Sequence, residues 1–199
     1  PNDDSSIYEL FNRLNSGGIN LKPQEIRVSL YHSKFYEALI KMNLDKRWRD
    51  ILGLNDPDIH MKDIEILLRG FAMLLQGKKY TQSMIRFLNS FSYKARSFDE
   101  EHINHLKKIF EAFLDACSDL GKHPFTLKTK KFNALIYEAV FVAICDSFKS
   151  KKDFKIPKID KQKLFLLKKD EKFITATEKE TARKINVDER LKRAREILS

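Results

Sequence analysis

The chain has 199 residues, 42% hydrophobic and 33% charged, which supplies a packed core and excludes a disordered chain. With 6 Gly and 5 Pro it lacks the turn residues of an all-β fold, and its glycines match no P-loop, dinucleotide fingerprint or Gly-x-Ser-x-Gly elbow. The net charge of +10 is uneven: residues 1–120 hold 17 basic and 17 acidic side chains, residues 121–199 hold 21 and 11.

The chain opens on polar Pro1-Asn2-Asp3-Asp4 with no signal peptide and no initiator Met, so its start reads as a fragment boundary. Ser6 and Glu9 have capping-box spacing, with Ile7, Leu10, Phe11 and Leu14 following on one face. Gly17-Gly18 suits a left-handed cap, and Pro23 with Glu25 suits the start of a second helix. Phe35, Leu39 and Met42 continue as a third, and Trp48, Ile51 and Leu52 form a short amphipathic piece before the turn Asn55-Asp56-Pro57-Asp58. Residues 61–76 are apolar on most sides and read as the central helix. Thr81 is placed to cap the next helix, and Ser97 with Glu100 the one after. That long helix carries Ile103, Leu106, Ile109, Phe110, Phe113, Cys117 and Leu120 in register and closes at Gly121.

Residues 132–148 read as a buried helix, too short and too interrupted by Asn133, Glu138 and Asp146 to span a bilayer. The Lys-dense stretch 149–172 suggests a flexible or partly helical surface. Thr177 with Glu180, and Asn186 with Glu189, have the spacing of caps for two short terminal helices. The expected fold is therefore all-α, an assembly of roughly eight to ten helices in one domain over residues 1–199. Within it lie a helical hairpin (1–31), an apolar core (61–148) and a basic segment (149–199).

No grouping of acid, base and nucleophile stands out, so no catalytic residue is assigned. His102 and His105 lie three apart near Asp99 and Glu101, but lack an HExxH arrangement or a third ligand, so no metal site is assigned. Cys117 and Cys145 read as reduced core thiols of a cytoplasmic protein. The positive excess after residue 120 suggests a surface facing a polyanion, DNA before membrane. Its candidate phosphate contacts are Lys128, Lys130, Lys131, Lys151, Lys152, Arg190, Arg193 and Arg195. The competing explanation is a solvated, Lys-rich surface.

The most distinctive stretch is Phe11-Asn12-Arg13-Leu14-Asn15-Ser16-Gly17-Gly18-Ile19-Asn20-Leu21-Lys22-Pro23-Gln24-Glu25-Ile26-Arg27. Physically it is a helix, a glycine turn, an apolar link and a second helix start. Arg13 and Arg27 have the fork chemistry for phosphate or carboxylate, and a helix start offers free N–H donors to an anion. Read structurally, the same stretch is a hairpin whose Arg13 and Asn15 cap carbonyls.

The stretch resembles the FxRxNxGGxxLxxQEIR segment of a ParB/sulfiredoxin-like family of prokaryotic defence proteins, the GmrSD-like restriction family. The segments around Tyr31–Leu39, Met61–Phe71 and Arg183–Leu198 resemble it at the level of hydropathy. The resemblance implies a helical C-terminal half of a larger module, without the DGQQR motif associated with nucleotide hydrolysis and without the HNH nuclease domain that relatives carry. It implies that this chain alone lacks the chemistry, and that NTP and Mg2+ belong to the full-length, NTP-dependent cytoplasmic protein. It implies nucleotide-pocket roles for Arg13 and Asn15, supporting roles for Gln24 and Arg27, and a close-approach turn at Gly17 and Gly18. DNA and the missing N-terminal half are the implied partners, with no membrane. A helical protein–protein interaction or scaffold domain is the alternative from a different class.

Overall fold

The computed structural model describes residues 8–10, 13, 21–127, 131–152 and 155–198. Ten α-helices account for most of these: α1 (Pro23–Leu30), α2 (Lys34–Asn43), α3 (Lys46–Leu52), α4 (Lys62–Gln76), α5 (Met84–Ala95), α6 (Glu100–Ala116), α7 (Ala134–Cys145), α8 (Lys161–Leu167), α9 (Glu171–Glu178) and α10 (Lys184–Leu198). No strand forms among the described residues; Thr126 and Phe132 make an isolated antiparallel bridge. The architecture is all-α, as expected. No helix among the described residues is long and apolar enough to cross a membrane.

Short polar side chains start most of these helices by accepting the otherwise unpaired N–H groups of the first turn. Ser33 accepts from Tyr36, Asp45 from Arg47, Asn133 from Leu135 and Ile136, and Asp160 from Gln162 and Lys163. Several caps differ from those expected. Ser83, not Thr81, caps α5, and Asp99, not Ser97, caps α6. The Ser97 hydroxyl instead donates to the Lys94 carbonyl at 2.8 Å. Thr177 and Asn186 likewise donate to carbonyls, Thr177 to Ile174 and Asn186 to Lys179 and Glu180. Their side chains close the ends of turns already made, and the two short terminal helices expected there are α9, capped by Asp170, and one 15-residue helix α10. The Ser6–Glu9 cap lies partly outside the described residues.

The segment 149–172 is also more ordered than its composition suggests. It contains α8, buries Ile156 and Ile159, and is pinned where the Ile159 N–H donates to the Ala116 carbonyl at 3.0 Å.

α4 and α7 meet at the centre. α7 is buried almost all round, from Ile136 to Val142 and at Cys145. The two helices approach closely at Gly70, where a Cβ would stand 2.8 Å from the Tyr137 hydroxyl and 3.2 Å from Phe141. Edge-to-face aromatic pairs fill the surrounding space: Phe71–Phe141 at 5.4 Å, Phe113–Phe141 at 4.9 Å and Trp48–Phe110 at 5.7 Å. Cys117 and Cys145 are buried and free, as expected, and burial pushes both thiols up from their ordinary range.

Two ionic groups are buried in this core. Asp63 accepts from Asn43 at 2.9 Å, from Arg49 at 2.7 Å and from the Asp58 backbone N–H at 2.9 Å. Glu138, fully buried in the apolar helix α7, is held between two guanidinium groups. Arg69 donates to one carboxylate oxygen, and Arg190 of α10 to the other at 3.2 Å. Arg190 also donates to the carbonyls of Ala176 and Thr181. A buried carboxylate survives only when its charge and lone pairs are met in this way.

Candidate functional site

The QEIR segment forms α1, and its pattern separates two faces. Pro23 occupies the first turn without loss of a hydrogen bond, and the Glu25 carboxylate accepts the Lys22 N–H. That bond, with the nearby His60, holds Glu25 below the usual carboxylate range. Gln24, Ile26 and Arg27 turn inward.

Arg27 is fully buried and organises a polar cluster between α1, α4 and α5. Its Nε donates to Asn89 Oδ1 at 2.9 Å, and its Nη1 reaches both Gln24 Oε1 and Glu65 Oε2, the latter at 3.2 Å. Glu65 carries the compensating charge on a side chain that is 38% exposed. Beside it the hydroxyls of Tyr36 and Ser92 are 2.8 Å apart. Burial pushes the Tyr36 phenol up to about 12, against the pull of the Arg27 charge. Tyr8 closes the cluster from the N-terminal side, its hydroxyl 3.5 Å from the Pro23 carbonyl. The Gln24 side chain is buried beside the Tyr36 hydroxyl and works with Arg27 against the effect of the phenol's burial.

This geometry divides the motif residues. Gln24 and Arg27 come together as an interior clasp; Arg27 grips the Glu65 carboxylate, so its fork is not turned toward a phosphate in solvent. Arg13 is helical and exposed. Asn15, Gly17 and Gly18 lie outside the described residues. Asn89, Glu65 and Tyr36 complete the clasp and were not singled out from the sequence; the only signal for Asn89 was a polar residue inside the apolar run from Met84 to Phe91.

The basic candidates are also divided. Arg190 is a correction: it has no exposed surface and neutralises Glu138 in the core. Arg193 is engaged by Asp170 and Glu196, which raises its guanidinium and lowers the Asp170 carboxyl. Lys151, Lys152 and Arg195 are exposed, and they fall around two adjoining clefts of about 330 and 490 Å³ that share Leu75 and Lys149. Lys78 and Lys79, just after α4, line the larger cleft. They come from the electrically neutral part of the chain, so a count of charge along the sequence passes over them. Asp146 tempers this face, pairing with Lys149 at 2.6 Å and Arg195 at 3.6 Å, and Lys152 faces Glu101 at 3.7 Å. Lys131 is exposed at a different cavity. Lys128 and Lys130 lie outside the described residues.

Among the described residues no three His, Cys, Asp or Glu side chains are grouped to hold a metal ion. His102 stacks on Phe98 with ring centroids 4.2 Å apart, and a ring nitrogen of His105 lies 2.9 Å from the Lys149 carbonyl. Compared with protein-family models, with curated proteins and with solved structures, the chain finds no match.

Proposed function

We propose that the chain is the helical portion of a GmrSD-like prokaryotic defence (restriction) protein, supporting nucleotide binding and hydrolysis and DNA engagement in the full-length protein. The observation that carries this reading is the clasp of Gln24 and Arg27. The end of the motif is anchored through α4 and α5, which makes a firm base for the residues preceding it. In this reading Arg13 and Asn15 reach the nucleotide, Gly17-Gly18 lets the turn come close, and Gln24 and Arg27 position them. An NTP and its Mg2+ belong to the full-length protein in this reading. Lys78, Lys79, Lys149, Lys151, Lys152 and Arg195 supply phosphate contacts, which fix position on a duplex without reading its sequence.

The test has two arms. The chain alone is titrated with duplex DNA at increasing salt, beside a variant with Lys78, Lys79, Lys151 and Lys152 changed to Gln. Binding weakens with a log–log slope of about −0.9 per phosphate neutralised, and the variant flattens the slope. In a longer protein that carries a DGQQR segment upstream, Arg13→Ala lowers nucleotide turnover while the melting temperature holds. Absence of duplex binding at low salt removes the DNA part; normal turnover in Arg13→Ala removes the nucleotide part.

One observation favours the second reading, a helical interaction or scaffold domain. Phe165 and Leu166, adjacent on α8, are 53% and 58% exposed. Neighbouring large apolar side chains in water suit a protein partner. Loss of a co-purified partner on Phe165→Ser/Leu166→Ser, with no DNA binding by the parent, supports that reading over the first.

A further inference from the structure

The loop after α6 carries His123 in an unusual position. Its backbone lies at φ +53, in the left-handed region that non-glycine residues rarely occupy. Its imidazole packs closely against Gly53: a Cβ on that glycine would meet His123 Cε1 at 2.5 Å and Nδ1 at 2.6 Å. Gly53 is itself at φ +73 and ends α3. A left-handed His123 and a left-handed Gly53 thus combine to hold one exposed imidazole, whose ring nitrogens have no hydrogen-bond partner among the described residues.

The imidazole stands over a cavity of about 410 Å³. Leu52, Leu54, Ile66 and Phe132 make its apolar walls. Leu54 is 46% exposed there, although an apolar side chain of its size is normally covered. Phe132 is fixed by the bridge to Thr126 and by the Asn133 N–H bonded to the Phe125 carbonyl at 2.8 Å.

The charges around the cavity are unequal in availability. Asp63 is taken up by Arg49, Asn43 and backbone N–H groups, whereas Asp58 accepts the N–H groups of His60 and Lys62 on Oδ1 and keeps its charge at the rim. Its two lysines, Lys62 and Lys131, are exposed and make no ion pair among the described residues. What faces an incoming molecule is therefore an apolar wall bordered by two ammonium groups and one imidazole, which outnumber the single Asp58 carboxylate at the rim. Such a set rewards one negative charge on a compact apolar body.

We propose that this cavity binds a small amphiphilic anion, an aromatic or aliphatic body of about a dozen heavy atoms bearing one carboxylate or phosphate, with His123, Lys62 and Lys131 on the charge. The site stands apart from the motif clasp and from the Lys149 clefts, and does not depend on the defence-module reading.

The experiment titrates the 199-residue chain with 1-naphthoate, 1-naphthyl phosphate and uncharged 1-naphthalenemethanol, followed by calorimetry and by the NMR signals of the His123 ring. At least one anion binds saturably and shifts the His123 signals, and the alcohol binds about tenfold more weakly or worse. His123→Ala weakens the anion about tenfold, the loss of one charge-assisted hydrogen bond, and Lys62→Gln with Lys131→Gln, which removes two ammonium groups, weakens it at least as much. These side chains are exposed, so the variants keep their melting transition; His123→Gln substitutes if His123→Ala does not. Preference for naphthoate identifies an organic acid as the occupant, preference for naphthyl phosphate a phosphomonoester. No saturable binding at millimolar probe, equal binding of the alcohol, or binding indifferent to His123 and both lysines overturns the proposal.

Discussion

Arg27 and Asn89 stand 62 positions apart, and the Arg27 Nε donates to Asn89 Oδ1 at 2.9 Å in the buried space between α1 and α5. The bond makes the QEIR segment part of the core rather than a surface loop. Arg27→Lys keeps the charge but removes the planar fork that serves Asn89, Gln24 and Glu65 together. It is expected to cost about 1.5–3 kcal/mol, and Asn89→Ala about 1–3 kcal/mol. In a double-mutant cycle by urea unfolding the two effects overlap, with a coupling of about 0.5–3 kcal/mol. Additive losses would mean that the pair is not coupled.

Glu138→Gln leaves the fully buried Arg190 and the half-buried Arg69 with no opposing carboxylate. Removing one partner of a buried ion pair costs about 3–5 kcal/mol, so a large fall in the denaturant midpoint is expected. Lys152→Gln, which removes the exposed pair with Glu101, changes the unfolding free energy by less than about 1 kcal/mol. Equal small effects would show that Glu138 is reached by water.

Asp63 carries a pH dependence of stability. Burial pushes its carboxyl up, but hydrogen bonds from Asn43, the Asp58 N–H, Arg49 and the Ile64 N–H outweigh it and hold the group below its ordinary 3.8. A carboxyl lowered in the folded state adds stability that is complete above the unfolded value and disappears as pH falls through the folded one. Melting temperature is therefore expected to fall below about pH 4, and less steeply in Asp63→Asn. A parallel fall in both proteins would assign the acid sensitivity to other carboxylates.

Tyr137 offers a change in the opposite direction. Its ring packs among Trp48, Phe113 and Phe141, while its hydroxyl is buried with no partner among the described residues. Tyr137→Phe retains the ring and removes a desolvated polar atom whose burial costs about 1–3 kcal/mol. Thermal and denaturant unfolding should show stability unchanged or raised. A loss above about 1 kcal/mol would mean that the hydroxyl has a partner in solution.

The apolar helices were legible because their patterns exceed any local ambiguity. The run from Phe132 to Phe148 contains α7, and residues 61–76 contain α4. Caps were less legible, since Thr81 and Ser83, or Ser97 and Asp99, compete within a few residues. The choice depends on where the preceding chain is tied down, not on local chemistry alone. Arg190 shows the limit of reading charge along the chain: its basic neighbours Arg193 and Arg195 reach the surface, whereas Arg190 is one helical turn from Ala194 on the buried face of α10. The clue lay elsewhere, in Glu138, a carboxylate inside an apolar helix that had to have a cation from a distant segment. The motif clasp was half legible: Gln24 and Arg27 stood out, but their partners Glu65 and Asn89 come from helices that only the tertiary fold brings near. The His123 cavity had no linear signature, because Gly53 and His123 are far apart in the chain.

Glu138 also ties distant parts of the chain together. Arg69 precedes it by 69 positions and Arg190 follows it by 52, so neither contact forms locally and each requires closure of a long loop. Until α10 docks, the interface of α4 and α7 lacks its second guanidinium, and the Arg190 backbone contacts between α9 and α10 are also missing. Sealing the centre and docking the last helix are thus coupled, since Glu138 has both of its cations only when α10 is in place.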